Sequence, residues 1–328
     1  QAGTLDAWRK EIGLVYPHAQ PEGFPTPLNG RPAKAIDGHH MTYGQIPGLD
    51  RRVSRLVMGC DNQTTFPHAA VMFDDFVQRG GNTFDTAHIY GGGLQERLLG
   101  QWIASRGVRD QVNLISKSGH TPRCTPELLR RDFLESLDRL QTNHVEIFIM
   151  HRDNPDVPVD EFVDVLSEHA DAGRMTVFGG SNWSVERFAA ANDYAKANGK
   201  HAFSLMSNNF SLARMINPVW KGCVAATEPA MRDYFIKNQV PNLAWSSQAR
   251  GFFVSRTGAG NETWKVGDAW DSPENRTRRD RAFELADKYG VTAINIAAAY
   301  VLCQPFPSFA LIGPRNLDET ATSMPAMS

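Results

Sequence analysis

Residues 80–100 read GGNTFDTAHIYGGGLQERLLG, and they combine the end of a strand, a glycine-rich loop and the start of a helix. The Thr-Phe pair that precedes Asp85 is typical of a strand. Tyr90 follows Asp85 by five residues and stands directly before three glycines. From Leu94 onward the apolar residues recur at helical spacing. The segment therefore predicts a strand–loop–helix unit that carries two polar side chains, Asp85 and Tyr90, where the strand gives way to the loop.

The same pattern of strand and then helix recurs along the chain. Eight β-rich runs are expected, at residues 55–58, 83–84, 112–116, 145–150, 176–178, 202–206, 242–245 and 309–312. Segments of helical period lie between them, at residues 68–79, 94–105, 125–140, 161–172, 275–289 and 293–303, and a further one begins at residue 184. Repeated units of this kind over roughly 270 residues predict an α/β fold, specifically a (β/α)8 TIM barrel. No GxGxxG motif follows the first strand, which argues against a doubly wound sheet.

Residues 1–40 differ in composition from the rest of the chain, since five prolines at positions 17, 21, 25, 27 and 32 interrupt any helix. We therefore predict an extended N-terminal arm or linker over residues 1–40 and the barrel over residues 41–328. The arm could lie on its own barrel, cover the barrel bottom or contact a second copy as a homo-oligomer. The loop at residues 254–277 is expected to be a flap, and the final segment, residues 321–328, is expected to be weakly structured.

Composition excludes several classes of partner. The 328-residue chain has a net charge of -2, which does not favour nucleic acid or an anionic membrane surface. Its longest apolar runs, such as residues 145–150, are too short to span a bilayer. The four cysteines form no CxxC pair, so we expect free thiols in a reducing, cytoplasmic compartment. His151 and Asp153 lack the spaced partners of a metal site, and no metal is expected.

Polar side chains follow several of the predicted strands. Asp85 and Tyr90 follow the second, Lys117 the third, and His151 the fourth, while Ser-Asn at positions 181 and 182 follows the fifth. In a (β/α)8 barrel the active site is formed at the C-terminal ends of the strands, so these side chains should converge. Each has a structural alternative when it is taken singly, as a rim lysine, a core histidine or a loop anchor. Their convergence favours a catalytic site.

Carbonyl reduction by hydride transfer is the chemistry that suits these groups. Tyr90 would be the general acid/base, because a nearby Lys117 ammonium favours the phenolate and should lower the phenol pKa from its usual value near 10. Asp85 would hold Lys117 as its ion-pair partner. His151 would hydrogen-bond the substrate carbonyl oxygen and stabilise charge that develops there.

The chain resembles the aldo-keto reductases in six segments, FDTAHIYGGG, LISKSG, MHRDNP, GGSNWS, AWSSQARG and LIGPRNLDE. They occur in the order and spacing of that family, over residues 41–320. The resemblance implies an NAD(P)H-dependent reductase with an Asp85–Tyr90–Lys117–His151 tetrad. It also implies that Ser181 and Asn182 hydrogen-bond the nicotinamide amide.

The same resemblance implies a full set of cofactor-binding residues: Ser181, Asn182, Ser207, Trp245, Ser246, Gln248, Arg250, Gly251, Gly313 and Arg315. Trp245 stands where the family has a ring, usually Tyr, that stacks on the nicotinamide. Ser207 stands where the family usually has Gln, which should reshape the nicotinamide pocket. Arg315 is the only nearby cation for a 2′-phosphate, so NADP(H) is expected and NAD(H) is the alternative.

His120, Trp183 and Trp220 are expected to line the substrate pocket. Together with the polar Arg152 and Asn209 they suit a small aldehyde or ketone, sugar-derived ones among them. Two other functions stay open at this point. One is a hydrolase or isomerase on the same barrel, and the other is a nicotinamide-nucleotide sensor or regulatory subunit with little turnover.

Overall fold

The computed structural model describes residues 33–257 and 266–327. Eight parallel strands close into a barrel in chain order, with the last strand paired to the first. These strands are β3 (Leu56–Gly59), β4 (Thr83–Asp85), β5 (Asn113–Ser118), β6 (Val145–Met150), β7 (Met175–Ser181), β8 (Leu205–Ser207), β9 (Asn242–Ala244) and β10 (Ser308–Ile312). Two shorter strands, β1 (Tyr43–Gly44) and β2 (Val53–Ser54), form an antiparallel hairpin before them. The architecture confirms the predicted (β/α)8 TIM barrel.

Helices surround the barrel. Their bounds are α1 (Phe66–Gln78), α2 (Leu94–Arg106), α3 (Pro126–Arg139), α4 (Val159–Asp171), α5 (Val185–Ala197), α6 (Pro229–Asn238), α7 (Val266–Trp270), α8 (Pro273–Tyr289), α9 (Ala293–Leu302) and α10 (Leu317–Ser323). Capping side chains set several starts, as Thr125 and Ser184 do for α3 and α5, because each hydroxyl accepts a backbone N–H of the first turn. None of the described helices is long and apolar enough to cross a lipid bilayer.

The interior of the barrel is a packed apolar core. Alternate residues of the strands point inward and form one cluster, which includes Val57, Ile115, Ile147, Ile149, Val177, Leu205, Leu243, Phe309 and Leu311. Ile46, Leu49 and Val53 of the N-terminal hairpin region pack into the same cluster. A side chain at Gly48 would lie 2.7 Å from Val177 Cγ1, so the hairpin turn fits closely against the barrel. The hairpin, which the sequence did not predict, therefore closes the N-terminal end of the barrel.

One prediction for an irregular segment needs correction. The C-terminal residues are not weakly structured, because α10 and a 3₁₀ turn (Met324–Met327) follow the last strand. Asn316 caps α10 by accepting the N–H of Glu319, and Asn295 of α9 donates to the carbonyl of Thr322 at 2.5 Å. Most of the predicted N-terminal arm, and residues 258–265 of the predicted flap, lie outside the described residues. Within the described part of that segment Trp270 is fully buried and belongs to an apolar cluster with Phe252 and Phe253.

Candidate active site

The loop after β4 has a backbone that only glycine adopts readily. Tyr90–Gly93 forms a 3₁₀ turn in which the φ angles of the three glycines are +50°, +62° and +92°. These left-handed values strain any residue that has a Cβ. A Cβ at Gly93 would also lie 2.6 Å from the guanidinium carbon of Arg139. The three glycines therefore let the chain turn sharply after Tyr90 and pass close to Arg139 of α3.

Parallel pairing brings the predicted tetrad together. Lys117 Nζ lies 2.5 Å from Asp85 Oδ2, and both side chains are about nineteen-twentieths buried, at 4 % and 5 % exposed. The same ammonium lies 5.0 Å from the centroid of the Tyr90 ring. The rings of Tyr90 and His151 meet edge to face, with centroids 5.7 Å apart. A phenol, an ion pair and an imidazole thus share one space at the C-terminal mouth of the barrel.

Burial is the largest single influence on the pKa values of Tyr90, Lys117 and His151. It raises the pKa of Tyr90 to about 12, although the charge and hydrogen bond of Lys117 act in the opposite direction. The expected net lowering of that pKa is therefore wrong. Burial, together with the positive charge of Lys117, lowers the pKa of His151 well below its usual value. Burial alone would lower the pKa of Lys117, but Asp85 and Tyr90 together raise it. At neutral pH the site holds a protonated phenol, a neutral imidazole and an ammonium.

A second set of ionisable groups lies behind the loop that carries Tyr90. We call His88, Glu96, Asp132, Glu135 and Arg139 the flanking ion cluster. Arg139 donates to Glu96 Oε2 and Glu135 Oε2, both at 3.1 Å, and to the carbonyl of His88 at 3.0 Å. The His88 ring lies 2.8 Å from Glu135. These bonds fix the loop from α3, because His88 is part of it.

The flanking ion cluster contains three groups with the geometry of metal ligands. Ligand atoms of His88, Asp132 and Glu135 lie within 4.8 Å of one another. Asp132 is bound by the guanidinium of Arg123, and Glu135 by that of Arg139. Both carboxylates already have cationic partners, so ion pairs account for the arrangement without a metal.

The side chains expected to bind the nicotinamide form hydrogen bonds with other residues of the chain. Ser181 Oγ donates to the carbonyl of Ser207 at 2.6 Å, and Asn182 Nδ2 donates to Ser181 Oγ at 3.0 Å. Asn182 Oδ1 accepts the N–H of Val224 at 3.1 Å. Ser207 Oγ donates to the carbonyl of Leu243 at 2.9 Å. The hydroxyl oxygens of Ser181 and Ser207 and the amide oxygen of Asn182 each keep spare acceptor capacity.

An aromatic wall stands beside these residues. Trp245 is half-buried, and its ring centroid lies 6.1 Å from that of Trp220. The guanidinium carbon of Arg250 lies 5.3 Å from the Trp220 ring. Within the described part of the chain, the buried atoms Trp245 Nε1 and Asn209 Oδ1 have no hydrogen-bond partner. Buried polar atoms are normally paired, so these two are open to a partner outside the chain.

The loop after β9 is bent in a manner that favours anions. Ser246, Ala249 and Arg250 have φ angles of +48°, +48° and +50°, which non-glycine residues rarely adopt, and Gly251 follows at +90°. Turns of this kind direct backbone N–H groups toward anions, and strained residues cluster at ligand sites. Gln248 Nε2 donates to Ser323 Oγ at 3.1 Å, so its side chain ties the loop to α10.

The loop after β10 is held from two sides. Asn62 Nδ2 donates to the carbonyl of Gly313 at 2.7 Å, from the loop after β3. Arg315 Nη2 lies 2.6 Å from Glu319 Oε1, and Glu319 also accepts the N–H of Arg315 at 2.7 Å. The Arg315 side chain is 63 % exposed, so this ion pair is weak and open to competition by another anion.

The three residues predicted for the substrate pocket take different positions. The ring of His120 lies 5.0 Å from that of His151, and Trp220 is 48 % exposed at the mouth. Trp183 is fully buried, and its ring packs 4.8 Å from that of Phe203 behind the strands. Its predicted role as a pocket wall needs correction, because a side chain in the core between strands and helices does not contact a ligand.

Asp61 is a residue near the mouth that the sequence reasoning missed. It is exposed in the loop after β3. Burial is the main cause of the raised pKa of Tyr90 and of the lowered pKa of Arg250, and the charge of Asp61 adds to the first shift and opposes the second. The signal was available, because Asp61 lies three residues after the predicted strand at residues 55–58, close to where Asp85 and Lys117 stand relative to theirs. The same strand-end rule applied to the first barrel strand would have found it.

Comparison with known proteins identifies the family. The sequence profile of the Aldo/keto reductase family matches residues 56–328. The chain is 26 % identical to the oxidoreductase YrpG of Bacillus subtilis, over 88 % of this chain and 91 % of the relative. It is 27 % identical to norsolorinic acid reductase of Aspergillus flavus, over 88 % and 77 % of the two chains.

Two further matches bear on fold and cofactor. The chain is 24 % identical to aryl-alcohol dehydrogenase [NADP(+)] of Phanerodontia chrysosporium, over 78 % of this chain and 71 % of the relative. A thermostable aldo-keto reductase crystallised with the inhibitor epalrestat superposes with a TM-score of 0.68 at 19 % identity, over 87 % and 94 % of the two chains, which supports the fold. The chain therefore belongs to the aldo/keto reductase family and is an oxidoreductase that uses NAD(P) to act on carbonyl compounds.

Proposed function

We propose that this chain reduces small aldehydes or ketones, sugar-derived ones among them, with Tyr90 as the proton donor. The observation that carries the proposal is the convergence of four groups in one space. Lys117 pairs with Asp85 at 2.5 Å and lies beside Tyr90, whose ring contacts that of His151. Hydrolases and isomerases need no such phenol–ammonium pair, so this arrangement favours reduction.

The ionisation states suit the direction of reduction. A phenol with a pKa near 12 is protonated at neutral pH and available to donate its proton to the carbonyl oxygen. Lys117 stabilises the phenolate that the donation leaves, and Asp85 holds Lys117 in place. The neutral His151 hydrogen-bonds the same oxygen and orients it. A bound NAD(P)H supplies the hydride that the carbonyl carbon accepts.

The residues on the other side of the mouth fit the cofactor. The flat, half-buried indole of Trp245 is suited to stack on the nicotinamide. Asn209 Oδ1 and Trp245 Nε1, which lack hydrogen-bond partners among the described residues, would serve its polar edge. Ser181 and Asn182 have acceptor capacity for the amide group. The left-handed turn that contains Ser246, Gln248, Arg250 and Gly251 would bind the pyrophosphate, and Gly313 and Arg315 the adenosine end.

NADP(H) is the preferred cofactor in this proposal, and NAD(H) is the alternative. The Arg315 side chain is mostly exposed, and its partner among the described residues is Glu319, in a surface ion pair. Such a pair contributes about 0–1 kcal/mol, so a 2′-phosphate with two charges would displace it. The relative from Phanerodontia chrysosporium is named for NADP(+), which agrees with this choice.

The test begins with fluorescence titration by NADPH and NADH, followed by steady-state assays with an aldehyde and keto-sugar panel. We expect tighter binding of NADPH, a loss of that preference in Arg315→Met, and a larger preference in Glu319→Gln, since each change alters one partner of the pair. Consumption of NADPH with several carbonyls would support the reductase. Tight binding with negligible turnover on every carbonyl would instead support the nucleotide-sensor function, and no binding would contradict both.

Two other predictions belong with this proposal. All four cysteines are free thiols, which supports a reducing, cytoplasmic location. Pairing with a second copy through residues 1–40 is a further prediction, and size-exclusion chromatography with light scattering on the chain with and without residues 1–32 would test it.

A further inference from the structure

Arg152 is a buried cation next to the residue that orients the carbonyl. It directly follows His151 at the end of β6 and is 7 % exposed. Its positive charge contributes to the lowered pKa of both His120 and His151, although burial is the larger cause in each. The guanidinium therefore lies within electrostatic reach of the two imidazoles at the barrel mouth.

No carboxylate in the described part of the chain pairs with Arg152. Its Nη1 donates to Cys223 Sγ at 3.2 Å, and sulfur is a weak acceptor. The adjacent acid, Asp153, is held by Arg187 at 2.8 Å. Arg139 is equally buried, at 8 % exposed, but it pairs with two glutamates. A buried guanidinium without an anionic partner is costly, so Arg152 has an unmet requirement for an anion.

The cofactor phosphates are poor candidates for that anion. The residues proposed to bind them follow β9 and β10, while Arg152 follows β6. In the closed barrel β6 lies directly opposite β10, and two strands separate it from β9. His120 and His151, by contrast, are neighbours of Arg152 and flank the place where the carbonyl is expected. The carbonyl substrate is therefore the molecule that brings the anion.

We propose that Arg152 binds an anionic group of the substrate, so that the enzyme prefers aldehydes or ketones that carry a carboxylate or phosphate to their neutral analogues. This inference rests on the proposed reductase function and specifies its substrate class. The planar fork of guanidinium donors matches two oxygens of either anion. Sugar acids and sugar phosphates belong to this class.

The experiment compares matched substrates in the whole chain. The carboxylate pairs are 4-carboxybenzaldehyde with methyl 4-formylbenzoate, and succinic semialdehyde with butanal; the phosphate pair is glyceraldehyde 3-phosphate with glyceraldehyde. We expect kcat/KM of at least one type of anionic substrate to exceed that of its neutral partner by at least about tenfold, and the favoured pair identifies the anion. Equal values across all pairs would overturn the inference while leaving the reductase intact.

Variants then assign the effect to Arg152. Arg152→Met should raise KM for the favoured anionic substrate roughly 10- to 100-fold and leave KM of its neutral partner within about twofold. Arg152→Lys should keep part of the preference. Arg281→Met, which removes the same charge from the exposed face of α8, should leave the preference unchanged. An equal loss on both members of a pair would contradict the assignment.

A measurement on the unmodified protein covers the case in which Arg152→Met does not fold. Benzoate should inhibit reduction of a neutral aldehyde competitively, with an inhibition constant at least about tenfold lower than that of benzamide if the anion is a carboxylate. If the anion is a phosphate, inorganic phosphate should inhibit the same reaction, and chloride at equal ionic strength is the control. No selective inhibition by either anion would overturn the inference. If no carbonyl at all is reduced, the reductase proposal fails, and this inference fails with it.

Discussion

Two groups of ionisable side chains lie on either side of the loop that carries Tyr90, and they hold charge differently. In the flanking ion cluster the carboxylates face guanidinium groups, as Glu135 and Glu96 do with Arg139. At the barrel mouth one ion pair, Asp85–Lys117, stands beside a phenol and an imidazole. Among the described residues, His151 Nδ1 and Asp85 Oδ1 have no hydrogen-bond partner there.

The pKa values of Glu135 and Tyr90 illustrate this difference. Burial alone would raise the pKa of Glu135, but the hydrogen bond and charge of His88, with Arg139, lower it below its usual value. At the mouth burial outweighs Lys117, and the pKa of Tyr90 rises to about 12. Pairing with His88 and Arg139 thus keeps Glu135 charged, whereas at Glu96 burial outweighs Arg139 and raises the pKa of that carboxyl. Incomplete pairing keeps Tyr90 protonated and His151 neutral, which serves chemistry.

Tyr90→Phe should give the largest effect. Removing the phenolic oxygen takes away the proton donor, so kcat for carbonyl reduction should fall about 10²- to 10⁴-fold while cofactor affinity is kept. Steady-state assays and fluorescence titration measure the two quantities. Tyr43→Phe, at the opposite end of the barrel, removes a hydroxyl that donates to Gly80 and should leave kcat unchanged. Near-normal reduction by Tyr90→Phe would contradict its role.

Arg139→Met should chiefly affect stability. The change leaves the buried Glu96 without its guanidinium, while Glu135 keeps that of Arg131. The free energy of unfolding should therefore fall by about 3 kcal/mol, while kcat of the folded protein changes by less than about tenfold. Urea denaturation measures the free energy of unfolding. The control Arg256→Met breaks an exposed pair with Asp287 and should cost at most about 1 kcal/mol. Equal losses from both variants would remove the contrast between the two clusters.

Glu135→Gln should show a smaller, pH-dependent effect. Because the pKa of folded Glu135 is lowered, its carboxylate adds stability above the unfolded pKa, and this is lost as pH falls through the folded value. The free energy of unfolding of the unchanged protein should therefore approach that of the variant between about pH 6 and pH 3. Glu284→Gln, on the exposed face of α8, is the control. A gap that stays constant with pH would refute the pairing argument.

The sequence predicted the architecture and the tetrad because both follow from simple periodicities. Strand ends in a parallel barrel meet at one mouth, so Asp85, Lys117 and His151 had to approach one another once the strands were located. The glycines after Tyr90 likewise had a local cause, a left-handed turn. Secondary-structure bounds were close for the same reason, and the run at Val145–Met150 was found without error.

The remaining features depend on contacts between distant segments, which no local pattern encodes. Trp183 follows a strand end but turns into the layer between strands and helices, where it packs on Phe203. The pKa of Tyr90 depends on how deeply the assembled barrel buries it, and the neighbouring charge alone predicted a pKa shift in the wrong direction. The absence of a carboxylate beside Arg152, among the described residues, is visible only once Asp153 is seen bound to Arg187.

The hairpin β1–β2 has a consequence for the timing of ligand exchange. It seals one end of a barrel whose lumen is already filled by side chains, so molecules enter and leave through a single opening. Residues proposed for the nicotinamide line the walls of that opening, and those proposed for the carbonyl lie across it. Because the cofactor and the carbonyl substrate share this opening, they must enter and leave one after the other. Ligand entry and release at the mouth, rather than the chemical step, is then a candidate for the rate-limiting step of turnover.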